Sequence, residues 1–224
     1  FHCVVTPSQT VELGTPIPGQ LYEVLVDRAD EVTAGQIVAS LDSRLEVANL
    51  EIARFRAATD TRVHLRQAAF AIDRRTEKRL SSLVASKVAS AQEKDRAARQ
   101  SRLSAWEVRQ AKDDLELYAL EMARAEAALD RRQIRSPIDG VVLARLHNPG
   151  EYIEDDPLMR IVKLDPLHVE AILPMRLFGR VEPGMRADVM PELENAGAHE
   201  ATVELVDPMG DAASGTFGVR LSLP

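Results

Sequence analysis

Residues 108–129 read VRQAKDDLELYALEMARAEAAL. Within this stretch an apolar or small residue returns alternately after three and four positions, at Val108, Ala111, Leu115, Tyr118, Met122, Ala125 and Leu129. This spacing is typical of a coiled-coil seam, and mainly charged residues fill the positions between. Because a helix buries such a stripe against another helix, the pattern predicts a helical pair.

The partner helix is predicted in the segment that precedes this stretch. All 11 glycines and all 12 prolines lie outside residues 36–136, so nothing there stops a helix. Ser43 or Asp42 can cap a helix start, and Glu46, three residues after Ser43, has the spacing of a capping box. We expect the outgoing half of the seam at Leu45, Ala48, Ile52, Phe55, Leu65, Ala69, Ile72, Leu80 and Leu83. An antiparallel coiled-coil hairpin is therefore predicted.

Two interruptions divide this helical segment. The outgoing pattern changes phase near Thr59–Arg62, which predicts a local change of supercoil winding without an end to the helix. The seam also breaks at residues 85–90, close to the midpoint, and Ser90 with Glu93 has capping-box spacing again. The turn of the hairpin is expected there, with arms of roughly 42 residues and about 60 Å.

The flanks of the helical segment predict β structure. They are rich in Gly, Pro and Val, with short apolar runs between turn residues. They also repeat each other, because Gly19 precedes Val32 by the same thirteen residues that separate Gly140 from Ile153. We expect two similar halves that form one small β-sandwich once the hairpin has closed.

Composition excludes several classes of function. The net charge of −7 and pI near 5.3 argue against a nucleic-acid surface, which needs an excess of cations. No phosphate-binding loop occurs, and the five histidines lack paired spacing, so we predict no enzyme, no metal site and no cofactor. Cys3, the only cysteine, is expected to be partly buried in a strand.

Two stretches resemble a known family. Val32–Asp42 is similar to the end of the first lipoyl half of the membrane fusion, or periplasmic adaptor, proteins of the HlyD-like type. Ile134–Val142, followed by Pro149-Gly150-Glu151, resembles the opening of the second half. Ala29 stands where the family usually has Gly, so a different turn is expected there. The Lys that true lipoyl carriers modify is absent between the halves, which excludes a swinging-arm carrier.

The resemblance implies an α+β fold. A long antiparallel α-helical coiled-coil hairpin is inserted into a lipoyl-like, barrel-sandwich hybrid β domain, and a partial β-barrel domain follows. The expected divisions are a first lipoyl half, a hairpin with its tip near 85–90, a second lipoyl half and a truncated barrel domain, at residues 1–42, 43–132, 133–165 and 166–224.

The resemblance also implies a function. Members act in the periplasm, anchored to or associated with the inner membrane, as adaptors in tripartite efflux and type I secretion. The implied partners are an inner-membrane transporter of the RND or ABC type, a TolC-like outer-membrane channel and further copies of the chain in a hexamer. Cargo would be small molecules such as drugs, with no enzymatic activity. The alternative is a structural coiled-coil scaffold with a β-sandwich base and no part in transport.

The expected tip carries a second resemblance. Arg79, Leu83 and Ser90 have the spacing of the motif with which the family engages the outer-membrane channel, and Asp95 also matches. Leu83 would be an apolar knob, with Arg79 and Ser90 as hydrogen-bond donors. Each residue also has an ordinary interpretation: Arg79 as a solvated charge, Leu83 as the last seam residue and Ser90 as a helix cap.

Overall fold

The computed structural model describes residues 3–190, 197–211 and 213–224. The chain divides into a helical unit, Ser43–Arg131, and a β unit that is assembled from the chain on both sides of it. In the described residues no helix is both long enough and apolar enough to cross a membrane.

The helical unit is an antiparallel hairpin with an outgoing arm of two helices and a return arm of one. The helices are α1, Arg44–Ala58, α2, Thr61–Ala85, and α3, Ala91–Asp130. Both α1 and α2 pack along α3. The ion pairs that join the arms include Arg54–Glu126, Arg56–Glu121, Arg62–Asp114 and Arg66–Glu107, at 3.2, 3.8, 3.3 and 2.9 Å. In each of these four the outgoing arm supplies the cation.

The phase break in the outgoing arm ends a helix, so the prediction of a continuous helix was wrong. Thr59 has an extended backbone, φ −94° and ψ 98°. Its hydroxyl donates to the carbonyl of Phe55 at 2.7 Å, the group that its own N–H would reach in a continuous helix. Asp60 then occupies the N-cap position of α2, and its carboxylate lies 3.0 Å from the His64 imidazole. The hydroxyl bond of Thr59 thus takes the place of the backbone hydrogen bond to Phe55 at the break between α1 and α2.

The seam of α3 is confirmed along its whole predicted length. All seven predicted residues are buried or half-buried. The same spacing continues toward the start of α3 through Ser104 and Ser101, which are both buried. The Ser104 hydroxyl donates to the carbonyls of Gln100, at 3.1 Å, and Ser101, at 3.2 Å, so this polar group costs little inside the seam.

The predicted seam of the outgoing arm was largely wrong. Ala69, Leu80 and Leu83 are half-buried, but the larger predicted residues are 53–73% exposed, namely Leu45, Ile52, Phe55, Leu65 and Ile72. The buried positions are instead Leu50, Ala53 and Val63. The hairpin therefore has a second apolar stripe in addition to the one between its arms.

The β unit consists of eleven strands within the described residues. Before the hairpin lie β1, Cys3–Leu13, β2, Gly19–Val24, β3, Glu31–Val32, and β4, Ile37–Leu41. After it come β5, Gln133–Arg135, β6, Gly140–Arg145, β7, Tyr152–Ile153, and β8, Met159–Pro174. The last three are β9, Arg186–Val189, β10, His199–Val206, and β11, Thr216–Leu223.

These strands form two antiparallel sheets. One has the order β5-β4-β2-β7, and the other has the order β3-β6-β8-β11-β10-β9, with β1 also paired to β8. A first core lies among Leu21, Val38, Ile134, Leu158 and Ile161. A second core around Phe217 belongs to the part that follows the lipoyl-like halves. Cys3 lies in a strand, as expected, but it is exposed and not partly buried.

The internal repeat appears as a reciprocal exchange between the two halves. Gly19 of the first half pairs with Ile153 of the second, and Val32 of the first pairs with Gly140 of the second. Gly19 thus pairs with the repeat equivalent of Val32, and Val32 pairs with the repeat equivalent of Gly19. Neither half completes its sheet alone.

Turns join the halves in the same reciprocal manner. In the first half, Ala34 N–H donates to the carboxylate of Asp139 at 2.8 Å, and Gly35 N–H donates to the carbonyl of Ser136 at 2.8 Å. In the second half, Gly150 N–H donates to the carbonyl of Leu21 at 2.7 Å. Gly35 and Gly150 have φ of 85° and 94°, in the left-handed region of backbone conformation that favours glycine. The family-like motifs are therefore the contact points between the halves.

Ala29 has φ 73°, in the same left-handed region. Its N–H donates to the carbonyl of Val142 at 2.9 Å, so this turn also contacts the second half. An alanine thus holds a conformation in which glycine is the favoured residue.

Candidate functional site at the hairpin tip

The outgoing arm ends in a Schellman motif, the hydrogen-bonded helix end in which a left-handed residue follows the cap. Ser86 is the C-cap of α2. Lys87 N–H donates to the carbonyl of Val84 at 3.0 Å, and Val88 N–H donates to the carbonyl of Leu83 at 2.8 Å. Lys87 has φ 60°, at a position that glycine usually occupies. The turn is therefore well defined although it contains no glycine.

The return arm begins with the predicted capping box at Ser90. Ser90 Oγ accepts from the N–H of Glu93 at 3.2 Å, and the Glu93 carboxylate accepts from Ser90 N–H at 2.9 Å. The Ser90 hydroxyl also donates to that carboxylate at 2.8 Å. These bonds, the backbone one first and then the hydroxyl, lower the pKa of the exposed Glu93.

The three residues predicted for docking all lie at this end of the hairpin. Arg79 is exposed on α2, and Leu83 follows one helical turn later, half-buried. Ser90 opens α3, and its hydroxyl is fully engaged with Glu93. Leu83 contributes its carbonyl to the turn, where Val88 N–H and Ala89 N–H reach it at 2.8 and 3.4 Å. The role of the three residues in docking stays a prediction.

Sequence reasoning missed two residues at the turn itself. Val88 is 73% exposed, more than any other valine or leucine in the described residues, and Lys87 beside it is exposed as well. The seam break was visible in the sequence, but a lysine in the left-handed region has no sequence signal. Lys87 is distinguished by its left-handed backbone and Val88 by the exposure of its side chain.

This end of the hairpin is strongly cationic. We define the cationic end as residues 74–102, where nine lysines and arginines stand against three acidic residues, for a net charge of +6 in a chain of −7. The nine are Arg74, Arg75, Lys78, Arg79, Lys87, Lys94, Arg96, Arg99 and Arg102. None of them forms an ion pair within the described part of the chain, whereas four arginines nearer the other end are all paired across the arms. The unpaired charge is available to a partner.

A helical hairpin inserted between two reciprocal halves of a β-sandwich is the architecture of membrane fusion, or periplasmic adaptor, proteins. The sequence model of a protein family, the CzcB-like barrel-sandwich hybrid domain, matches residues 9–162 of this chain. The chain belongs to this family, which confirms the predicted fold class.

The chain is also similar to known proteins over nearly its whole length. An uncharacterized protein of Haemophilus influenzae is 25% identical over 97% of this chain, which spans only 50% of that relative. MacA from Actinobacillus actinomycetemcomitans superposes with a TM-score of 0.81, at 19% identity, over 99% of this chain and 72% of its own. The membrane fusion protein Spr0693 from Streptococcus pneumoniae gives 0.64, at 14% identity, over 100% and 91%. At these identities the two structures show a shared fold.

Proposed function

We propose that this chain is a periplasmic adaptor subunit that links an inner-membrane efflux or secretion pump to a TolC-like outer-membrane channel. The observation that carries the proposal is the inserted hairpin, whose turn is ordered by a Schellman motif and a capping box. Leu83 and Ser90 take part in these bonds, and Arg79 lies one helical turn before Leu83. The chain does no chemistry in this role. It forms part of a conduit for small molecules, and the pump supplies the energy.

The exposed apolar stripe of the hairpin supports assembly with further copies. On the outgoing arm, Leu45 and Ile52 are seven residues apart, as are Leu65 and Ile72. The return arm adds Leu103, Trp106, Leu117 and Leu120, which are 52–68% exposed. Large apolar side chains at heptad spacing on a charged coiled coil are typical of a further helix contact. We infer a homo-oligomer, a hexamer, in which neighbouring hairpins cover these side chains.

The tip would dock as an apolar group with donors beside it. Arg79 lies seven residues after Ile72, so it continues the exposed stripe toward the turn. Its guanidinium makes no ion pair with any described residue and can bind a carboxylate of the channel in bidentate fashion. Because the Ser90 hydroxyl is engaged with Glu93, Ser90 contributes by fixing the start of α3.

Charge reversal at Arg79 tests the proposal. We expect Arg79→Asp to abolish export in the cell while the helical circular dichroism and co-purification with the pump stay unchanged. Arg109→Asp is the matched control, because Arg109 is also exposed on the hairpin but lies outside the cationic end. Full export by Arg79→Asp would refute the docking role. If the parent chain neither supports export nor binds a pump, the alternative function, a structural coiled-coil scaffold without a part in transport, is favoured.

A further inference from the structure

We propose that Lys87 and Val88, at the turn itself, form the contact point of the tip, and that their partner is an apolar socket rimmed by carboxylates on a protein. This inference rests on the proposed function, since it names the residues and the partner chemistry of the same docking end. It differs from the motif prediction because neither residue belongs to the Arg79, Leu83 and Ser90 set.

The backbone of Lys87 is the first observation. A residue at this position of a Schellman motif must adopt the left-handed conformation, which is disfavoured for side chains with a Cβ. Glycine would satisfy the same hydrogen bonds from Lys87 N–H and Val88 N–H without that strain. The side chain of Lys87 is what this position holds in place of glycine, and it is exposed. Residues held in this region cluster at ligand clamps and switch regions, which motivates the hypothesis of a contact here.

The exposure of Val88 is the second observation. Its side chain is 73% exposed, while Leu83, the predicted knob, is half-buried. The N–H of Val88 is bonded to the Leu83 carbonyl at 2.8 Å, so the backbone that carries the exposed side chain is fixed. A fixed apolar group loses little conformational entropy on binding. Val88 is therefore better placed than Leu83 to enter an apolar socket.

The cationic end is the third observation and gives the partner its charge. The net charge of +6 is made of side chains without ion pairs to described residues, so their field extends into solvent. Such a field raises the rate of association with an acidic surface and weakens as salt is added. Lys87 stands beside the exposed apolar side chain, so the first carboxylate contacts are expected at the rim of the socket.

The experiment measures binding of the full chain to a purified TolC-like channel in nanodiscs, at increasing NaCl concentrations. We expect Lys87→Gly to raise the midpoint of thermal unfolding of the helical signal by a few degrees and to weaken channel binding at least fivefold. Lys87→Arg, which keeps the charge, should bind like the parent chain. Val88→Ser should weaken binding to a similar degree without a change in the unfolding midpoint. If Lys87 acted in folding alone, Lys87→Gly would not combine a higher unfolding midpoint with weaker channel binding.

Several outcomes would overturn the assignment. If Lys87→Gly and Val88→Ser both bind like the parent while Arg79→Asp does not, Lys87 and Val88 are not the contact point, although the proposed function stands. If Lys87→Gly lowers the unfolding midpoint, the strain argument is wrong. A parent chain that does not bind the channel overturns both proposals. Binding to vesicles with anionic lipid, in place of the channel, would identify a membrane as the partner and would likewise refute the protein socket.

Discussion

Replacing Gly140 by alanine should destabilise the β unit through a steric conflict that can be worked out from the structure. A Cβ at this position would lie 2.3 Å from the carbonyl oxygen of Val162 and 3.0 Å from its carbonyl carbon, where ordinary contacts begin at 3.4 Å. The obstructing atoms belong to the backbone of β8, so no rotation of a side chain relieves the conflict. One of the strands must move.

The surrounding ladders oppose such a movement. Val162 pairs with Val141 on one side and with Thr10 on the other, and Gly140 itself pairs with Val32. Overpacking in a well-packed interior costs about 1–3 kcal/mol, and a backbone obstruction belongs at the upper end. We therefore expect a loss of about 3 kcal/mol, a large fraction of the roughly 5–15 kcal/mol by which domains are stable.

Hydrogen exchange followed by mass spectrometry in urea can measure this loss in the affected strands. Peptides from β6 and β8 should lose protection at a lower urea concentration in Gly140→Ala than in the parent chain. Gly14→Ala is the matched control, because a Cβ there meets no atom within 4 Å, and it should change the free energy of unfolding by less than about 0.5 kcal/mol. A Gly140→Ala protein as stable as the control would refute the reasoning.

Three further perturbations follow from the described geometry. Ala29→Gly should raise the free energy of unfolding by about 1 kcal/mol in urea titration, because alanine there holds a left-handed backbone; a loss of stability would contradict this. Since the pKa of Glu93 is lowered, the stability it contributes is present above the ordinary pKa of glutamate and is lost as the pH falls through the lowered pKa. Ser90→Ala removes the hydroxyl bond to Glu93 but keeps the backbone bond, so an NMR titration of the Glu93 carboxyl carbon should show a partial rise of the pKa; no change would disprove the contribution of the hydroxyl bond. Ile72→Asp should reduce the oligomer mass in sedimentation if the exposed stripe joins copies, and an unchanged mass would exclude that stripe.

The sequence predicted the features that depend on spacing. The seam of α3 was correct at every position, because its alternating spacing of three and four residues runs without a break from Val108 to Leu129. The repeat of Gly19 and Val32 in Gly140 and Ile153 was also informative, since these four residues pair with one another across the halves. The two capping-box predictions differ in outcome: Ser90 forms its box with Glu93, whereas Ser43 makes no side-chain cap bond.

The outgoing arm shows where periodicity is insufficient. Its buried positions include alanines such as Ala53, while larger residues such as Ile52 lie on the exposed stripe. A search for apolar spacing selects the more hydrophobic stripe, and it cannot distinguish the stripe covered by α3 from one left for another partner. At Thr59, where α1 ends, the side-chain hydroxyl donates to the carbonyl of Phe55, and Lys87 adopts a left-handed backbone. The residue types alone reveal neither feature.

The reciprocal pairing of the two halves determines the order in which this chain can be completed during synthesis. Gly19 is synthesised well over a hundred residues before its partner Ile153, so the first half lacks its partner strands until the second half has been made. The helices between them depend mainly on near neighbours, and such local structure forms quickly. When the helices have paired, the ends of the hairpin are close together, and in the folded chain Leu41 N–H donates to the carbonyl of Arg132 at 2.8 Å. Pairing of the helices therefore shortens the loop that the strands must close. We therefore expect the hairpin to assist the folding of the β unit, and we expect a mutation that slows pairing of the helices to leave strand edges exposed to aggregation.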